Sequence, residues 1–277
     1  MPQPFFIVTL GVFGLVFGSF ANVVIWRLPR GESLAAPGSH CPVCDAPIRW
    51  RDNIPVISWL VLRGKCRSCG ARISPRYPLV EATSALVCVA AGTRFGLSWR
   101  ALFAAALFYL LLVLSAIDID HMRLPNPLVG VLAALGVVGV GLSVVAAVPV
   151  LPLVGLRNPY LATGPVAQAA LGALLGAGIT LGISAAYGAL RGKQGMGMGD
   201  IKLLTTLGLF IGPYVLMALF AGSVIGALVG LAARRRVEGG LAGRIPFGPF
   251  LAMGTFFTVM WGEQALAWYL ALVGLTG

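Results

Sequence analysis

The chain has 277 residues, of which 58% are hydrophobic and only 10% are charged, and its formal net charge is +11. A soluble domain of this length would need far more charge on its surface, so the composition excludes that class. The chain is long enough for about seven to nine membrane crossings of about 20 apolar residues each.

Apolar runs predict eight helices. They cover residues 5–26, 79–95, 100–118, 126–150, 165–190, 200–212, 213–233 and 248–273, and the sixth is unusually short. The start, Met1 to Phe6, has no basic residue, and no small-residue cleavage signal precedes the charged segment that follows Trp26. We therefore expect the first apolar run to be a retained helix and not a removed signal peptide.

Positive charge is concentrated in alternate loops. All Lys and Arg residues except Arg94, Arg100 and Arg157 fall in the first, third, fifth and seventh loops. The positive-inside rule places these loops in the cytoplasm and both termini outside. This topology, together with anionic lipid, accounts for the net charge. We therefore expect membrane lipids as partners and no nucleic acid.

The segment from residue 27 to 78 is polar, basic and rich in Pro and Gly, and it is too small for a hydrophobic core of its own. It contains two C-x2-C knuckles, Cys41–Cys44 and Cys66–Cys69. Four thiolates in two such pairs suit a tetrahedral Zn(II) ion, and a closed four-thiolate shell makes that zinc structural. Two disulfides are the alternative, which a reducing cytoplasm disfavours.

The predicted fold class is an all-α polytopic membrane protein with about eight transmembrane helices and a small zinc-stapled cytoplasmic domain between helices 1 and 2. The first transmembrane helix takes residues 1–26, and the cytoplasmic zinc-binding domain takes residues 27–78. The remaining membrane domain takes residues 79–277.

Acidic residues in or beside membrane helices are costly unless they are paired or hydrated, so each is a functional candidate. They are Glu81, Asp118, Asp120, Asp200 and Glu263. Asp118 is predicted to end the third helix, and Asp200 follows a Gly-x-Gly-x-Gly run and opens the sixth. Glu263 has no basic neighbour in the sequence, so we expect a structural or interfacial role for it.

Two carboxylates that share a confined site do not both ionise easily, and one tends to hold a proton while the other accepts one from water. This is the chemistry of an aspartyl protease, and the glycines before Asp200 would let an extended substrate approach closely. Phosphate binding is disfavoured because no strand precedes the glycines and Asp200 would repel a phosphate. The alternative is that Asp118 and Asp200 cap helices or pair with Arg123 and Lys202.

Asp120 competes with Asp118 for the catalytic role. Residues at i and i+2 point to different faces of a helix, so the two are not expected to serve one dyad together. We predict that Asp118 and Asp200 are the catalytic pair.

Motifs along nearly the whole chain resemble the type 4 prepilin peptidases, a family of bifunctional leader peptidases and N-methyltransferases among the GxGD membrane aspartyl proteases. They are Gly18–Pro29, the two cysteine knuckles around Asp52–Leu60, Ile73–Glu81, Asp118 with Leu124-Pro125, Gly197–Leu203 and Ile245–Pro249. The one local departure is Asn126, where many relatives carry Asp.

The resemblance implies cleavage of a short basic leader after Gly from type 4 prepilins and pseudopilins. Methylation of the new N-terminal residue with S-adenosylmethionine would follow, at the bacterial inner membrane. It maps the two catalytic aspartates of the family onto Asp118 and Asp200.

No βαβ nucleotide-binding unit is visible for the methyl donor. We expect its site where the zinc domain meets the membrane, with Glu81 and Asn22 as candidate contacts. For Glu81 the alternative is an interfacial cap or a partner for a nearby Arg. Two alternatives to the full activity also remain, a peptidase without methylation and an ion-coupled membrane transporter, because broken helices and intramembrane carboxylates also mark such carriers.

Overall fold

The computed structural model describes residues 3–155, 164–192, 195–234 and 245–274. In these ranges the chain forms nine α-helices and no β-strand, which confirms the all-α prediction. The helices are α1 Gln3–Arg27, α2 Ile57–Val61, α3 Arg76–Phe95, α4 Trp99–His121, α5 Asn126–Val145, α6 Pro165–Arg191, α7 Met198–Ile211, α8 Val215–Arg234 and α9 Gly248–Leu272.

All the helices except α2 correspond to the apolar runs of the sequence. Five stretches of the described residues are long and apolar enough to cross a membrane, and α7 and α8 together form the last of them. They are Gln3–Arg30, Trp99–His121, Asn126–Val145, Pro165–Arg191 and Met198–Ala232. The protein is thus a multi-pass membrane protein.

The central helix of the bundle is α4. In its most apolar part 61% of the residues are buried inside the protein, against 17% to 28% for the other four spans. It packs against α1, α3, α5 and α9, so its side chains make contacts on all sides. A helix that is surrounded by protein in this way can hold a polar group away from lipid.

Two predicted helix ends are wrong. The run expected to stop at Asp118 continues to His121, because the last turn can be polar where it leaves the apolar layer, and left-handed Met122 (φ 52°) then ends it. The run expected to reach residue 150 ends at Val145. Pro149 lacks an N–H for a helical hydrogen bond, and a loop follows α5 in which Val148 is exposed and the apolar residues from Val150 to Val154 are buried.

The short helix α7 lies against α6 at backbone contact distance. A Cβ atom added to Gly208 of α7 would lie only 2.2 Å from the carbonyl carbon of Gly172 in α6. Small residues at such a crossing allow close van der Waals packing between membrane helices. This contact therefore determines where α7, and with it Asp200, can lie.

Glu263 has a basic partner in another helix, although none lies near it in the sequence, and this contact agrees with the structural role expected for it. Nη2 of Arg94, at the end of α3, donates to Oε2 of Glu263 in α9 at 2.8 Å. Nε of Arg94 also donates to the carbonyl oxygen of Met260 at 2.9 Å. The partner was not visible because it is a residue of a different helix, and the resulting ion pair ties α3 to α9.

Some residues used for the charge-based topology lie outside the described residues. They are Arg157, Lys193, Arg235, Arg236 and Arg244.

Candidate active site and cysteine cluster

Asp118 lies in the last turn of α4 and is 6% exposed. Its Oδ2 atom accepts a hydrogen bond of 2.9 Å from the backbone N–H of Gly248, the first residue of α9. The carboxylate is therefore held between two helices that pack against each other, and it has one oxygen anchored.

Asp200 is the third residue of α7 and is partly exposed. The glycine before it allows a close approach, since a Cβ on Gly199 would lie 3.1 Å from the Cβ of Leu124, in the link that follows α4. The Asp200 carboxylate is near enough to that of Asp118 for the two charges to interact. The structure thus brings together the two aspartates that the sequence predicts as a pair, from helices that are distant in the chain.

Asp120 has a different environment from Asp118. It is exposed, and its Oδ2 atom forms a salt bridge of 2.6 Å with Nη2 of Arg76, at the start of α3. The same guanidinium group donates to the carbonyl oxygen of Ala116 at 3.2 Å. Asp120 therefore ties α4 to α3 and points away from the aspartate pair.

The ion-pair alternative for the two aspartates finds no support in the described part of the chain. The salt bridges there join Arg67 to Asp52, Arg76 to Asp120 and Arg94 to Glu263. Nζ of Lys202 donates instead to Oδ1 of Asn126 at 3.0 Å, so it ties the second turn of α7 to the first turn of α5. Asn126, the departure from the family pattern, is thereby part of the support around Asp200.

The four knuckle cysteines form one cluster, with all four Sγ atoms within 4.8 Å of one another. The Sγ atoms of Cys41 and Cys69 are 3.9 Å apart. A tetrahedral zinc ion with Zn–S bonds of about 2.3 Å needs sulfur atoms about 3.8 Å apart, so the cluster has the size of such a site.

The two knuckles are built alike. The N–H of Cys41 donates to the carbonyl oxygen of Ala46, and the N–H of Cys66 donates to that of Ala71. In each knuckle the residue after the second cysteine has a positive φ, 53° for Asp45 and 72° for Gly70. These equivalent turns point both cysteines of each pair towards the same centre.

A forked ion pair links the segment between the knuckles to the second knuckle. The Nε and Nη2 atoms of Arg67 both donate to the carboxylate of Asp52, at 2.6 to 3.0 Å. The hydrogen bonds from Arg67 hold the pKa of the Asp52 carboxyl below its usual range. This pair supplements the cysteine cluster as a cross-link in a segment that has little core.

Comparison with known proteins divides the chain into two matched parts. Residues 12–95 match the family model of the bacterial peptidase A24 N-terminal domain, and residues 105–231 match that of the type IV leader peptidase family. A prepilin leader peptidase/N-methyltransferase of Stutzerimonas stutzeri is 36% identical, over 98% of this chain and 96% of its own length. This chain belongs to the type IV leader peptidase family.

Two further relatives support the membership of this chain in the leader peptidase family. A prepilin leader peptidase/N-methyltransferase of Pseudomonas aeruginosa is 33% identical over 99% of this chain and 96% of its own length. A type 4 prepilin-like proteins leader peptide-processing enzyme of Escherichia coli is 37% identical over 89% of this chain and 90% of its own length. No solved structure matches the chain. The family resemblance seen in the sequence motifs is confirmed.

Glu81 and Asn22 lie in the part matched by the N-terminal domain of the leader peptidase family. Oε2 of buried Glu81 accepts the N–H of Val56 at 2.7 Å, and Nδ2 of Asn22 donates to the carbonyl oxygen of Tyr77 at 3.2 Å. The partners of Glu81 are thus the backbone N–H of Val56 and the side chain of Ser19, and not an Arg. Both side chains support the junction where α1, α3 and the cysteine segment meet.

Two residues beside these predicted sites were missed from the sequence. Gly248 was noted only as part of a motif, although its flanking prolines mark an unusual helix start. Val56 has φ 63°, a conformation that a β-branched residue rarely adopts, and no pattern in the sequence indicates it. Its N–H is held by Glu81, so the strained backbone there has a specific partner.

Proposed function

We propose that this protein cleaves the basic leader of type 4 prepilins and pseudopilins after a glycine and then methylates the new N-terminal residue with S-adenosylmethionine. The observation that carries the proposal is that Asp118 lies in the last turn of α4 and Asp200 in the first turn of α7, where Gly199 packs against Leu124 just after α4. Relatives that match nearly the full length of this chain are named prepilin leader peptidase/N-methyltransferase. We assign residues 79–277 to the membrane peptidase domain.

The two aspartates would divide the work of peptide hydrolysis. The ionised carboxylate takes a proton from water, which attacks the scissile carbonyl carbon, while the protonated carboxyl donates a hydrogen bond to the carbonyl oxygen. The C–N bond then breaks, and a proton passes to the leaving amine. Because the two groups share a proton, they titrate as one unit, and cleavage should show a bell-shaped dependence on pH.

The substrate would reach this site from the cytoplasm. Arg76, which follows the cysteine segment, contacts Asp120 in the last turn of α4, so the cysteine segment and the aspartates lie at the same end of the bundle. The positive-inside rule assigns that end to the cytoplasmic side of the inner membrane. A basic leader that remains in the cytoplasm would therefore arrive where the aspartates are.

The cysteine cluster would hold a structural Zn(II) ion. Its four sulfur atoms have the spacing of a tetrahedral site, and residues 27–78 would form a cytoplasmic zinc-binding domain around it. Cys41, Cys44, Cys66 and Cys69 would fill the coordination shell, so the zinc would stabilise the domain without taking part in the reaction.

The methyl donor would bind where this domain meets α1 and α3. S-adenosylmethionine would supply an electrophilic methyl group to the new N-terminal amine. Glu81 and Asn22 both make hydrogen bonds to the backbone there, so they would shape this site by holding Val56 and Tyr77 in place. A Glu81→Gln protein should cleave prepilin normally and methylate it more slowly. If it methylates at the normal rate, Glu81 is not part of the S-adenosylmethionine site.

The function can be tested with purified protein in detergent, a prepilin that carries its leader, and S-adenosylmethionine with a labelled methyl group. We expect a shortened pilin whose first residue carries the label. Cleavage without labelling would show that the protein is a peptidase without methyltransferase activity. Absence of both reactions, in a preparation with a cooperative thermal unfolding transition, would contradict the proposal and favour a transporter.

A further inference from the structure

The start of α9 is in direct contact with Asp118 although it lies 130 positions further along the chain. Gly248 is the first residue of α9, and the first N–H groups of a helix have no acceptor inside that helix. Here the free N–H donates to Oδ2 of Asp118 at 2.9 Å, and both residues are buried. The hydrogen bond satisfies the helix end and fixes one oxygen of the carboxylate.

Gly248 also leaves the space that this carboxylate occupies. A Cβ atom at position 248 would lie 2.8 Å from Oδ2 of Asp118 and 3.3 Å from its Cγ. The next residue, Pro249, has no N–H, so Gly248 is the donor at the very start of the helix that faces the carboxylate. A residue with a side chain would have to push the carboxylate away from the N–H that holds it.

We propose that Gly248 is a positioning residue for peptide cleavage. Its N–H holds Oδ2 of Asp118, so that Oδ1 is the oxygen that exchanges a proton with water or with the partner aspartate, Asp200. This inference rests on the proposed function, which makes Asp118 catalytic. It adds α9 to a site that otherwise consists of residues from α4 and α7. Gly248 also lies beyond residues 105–231, the part matched by the leader peptidase family model.

The space requirement is tested by Gly248→Ala, which keeps the N–H and adds a Cβ atom. We expect kcat for prepilin cleavage to fall about 10- to 100-fold while KM changes little, because the substrate still binds but one carboxylate is displaced. Gly141→Ala is the matched control, since a Cβ there meets no atom within 4 Å. The unfolding temperature, and the rate at which a pilin peptide without leader is methylated, show whether each variant is folded.

The hydrogen bond is tested separately by placing glycolic acid at position 248 in cell-free synthesis. The backbone ester that results has no N–H and adds no side chain. Because this N–H has no acceptor inside α9, the change removes no hydrogen bond within the helix. It weakens the Phe247 carbonyl oxygen as an acceptor for the N–H groups of Phe250 and Leu251, so the unfolding temperature is measured for this protein too. We expect kcat to fall about tenfold or more, in keeping with the loss of a hydrogen bond to a charged group.

Asp118→Asn, measured beside these variants, separates the two proposals. If Asp118→Asn cleaves prepilin at the rate of the unmodified protein, the proposed catalytic pair is wrong. If Asp118→Asn is inactive but the ester protein keeps the kcat of the unmodified protein, only the role of Gly248 is wrong. A rise in KM with unchanged kcat in the two Gly248 variants would also overturn it, because Gly248 would then act on substrate binding.

Discussion

Single acidic residues in this protein are distinguished by the groups that they contact. Asp118 and Asp120 are only two positions apart, about 200° around the helix axis. Asp118 is consequently buried against the start of α9, whereas Asp120 is exposed and bound to Arg76. Each carboxylate thus has one task, Asp118 in the proposed reaction and Asp120 in the contact between α4 and α3.

Exchange of each carboxylate for an amide should separate these roles. We expect Asp118→Asn to slow leader cleavage by about a thousandfold or more, because an amide neither accepts nor donates the proton that the reaction moves. Asp120→Asn should stay within about tenfold of the unmodified rate, because it only weakens an exposed salt bridge. The measurement is the initial rate of leader removal, and an inactive Asp120→Asn beside an active Asp118→Asn would reverse the assignment.

The cysteines also lead to a prediction for individual residues. We expect about one zinc ion for each chain in the purified protein, measured by elemental analysis, and its loss in Cys44→Ser. Chelation should at the same time expose the basic segment between α1 and α3 to trypsin. Cys88→Ser is the control, because Cys88 lies in the hydrophobic core and not in the cluster, and its zinc content should be unchanged.

The position of the short helix α7 depends on its neighbours. This helix has 14 residues, fewer than the about 20 that a helix needs to span a bilayer, so packing against other helices must determine its position. The glycine contact with α6 and the hydrogen bond from Lys202 to Asn126 provide this support. Because Asp200 lies in the first turn of α7, a tilt of this helix would move the carboxylate.

Separation of α6 from α7 should therefore affect both stability and cleavage. Gly208→Val places a side chain where the backbone of Gly172 lies, and we expect it to lower the free energy of unfolding by about 1–3 kcal/mol. Leader cleavage should slow because Asp200 is displaced. Gly178→Ala in α6, where an added Cβ meets no atom within 4 Å, should change neither the unfolding transition in detergent nor the rate. If Gly208→Val has the unfolding transition and the cleavage rate of the unmodified protein, the close contact between α6 and α7 is not needed to position Asp200.

In the whole molecule, the two ends of the bundle have different chemistry. One end has the cysteine cluster and the aspartate pair, linked by Arg76 and Asp120. The connection between α3 and α4 lies at the far end of α3, next to the ion pair of Arg94 with Glu263. Both proposed reactions would thus take place on one side of the membrane, where the product of cleavage is the substrate of methylation.

Labelling of single added cysteines tests this orientation. Leu97 lies between α3 and α4 and is 57% exposed, and Glu32, which precedes the cysteine knuckles, is also exposed. In cells with a permeabilised outer membrane, a membrane-impermeant maleimide should label Leu97→Cys and not Glu32→Cys. Both should react once the inner membrane is opened, with the unmodified protein as the background. The opposite pattern would place the aspartates outside the cytoplasm.

Local patterns in the sequence were sufficient for much of this description. The lengths of apolar runs predicted the positions of the long helices to within a few residues, because a helix that faces lipid must be apolar along most of its length. The spacing of the knuckle cysteines predicted their cluster, because a two-residue gap brings both sulfurs to one side of a tight turn. The rarity of acidic groups in an apolar chain left five candidates, and the predicted helix end at Asp118 and the glycine run before Asp200 favoured these two.

Contacts between distant parts of the chain were decided by the tertiary structure alone. The hydrogen bond from Gly248 to Asp118, the one from Val56 to Glu81 and the ion pair of Arg94 with Glu263 each join segments that no periodicity relates. The extension of α4 to His121, which puts Asp118 inside the helix, depends on where the apolar layer ends. Such partners arise because packed helices leave buried donors and charges that must be satisfied by whichever element lies next to them in space.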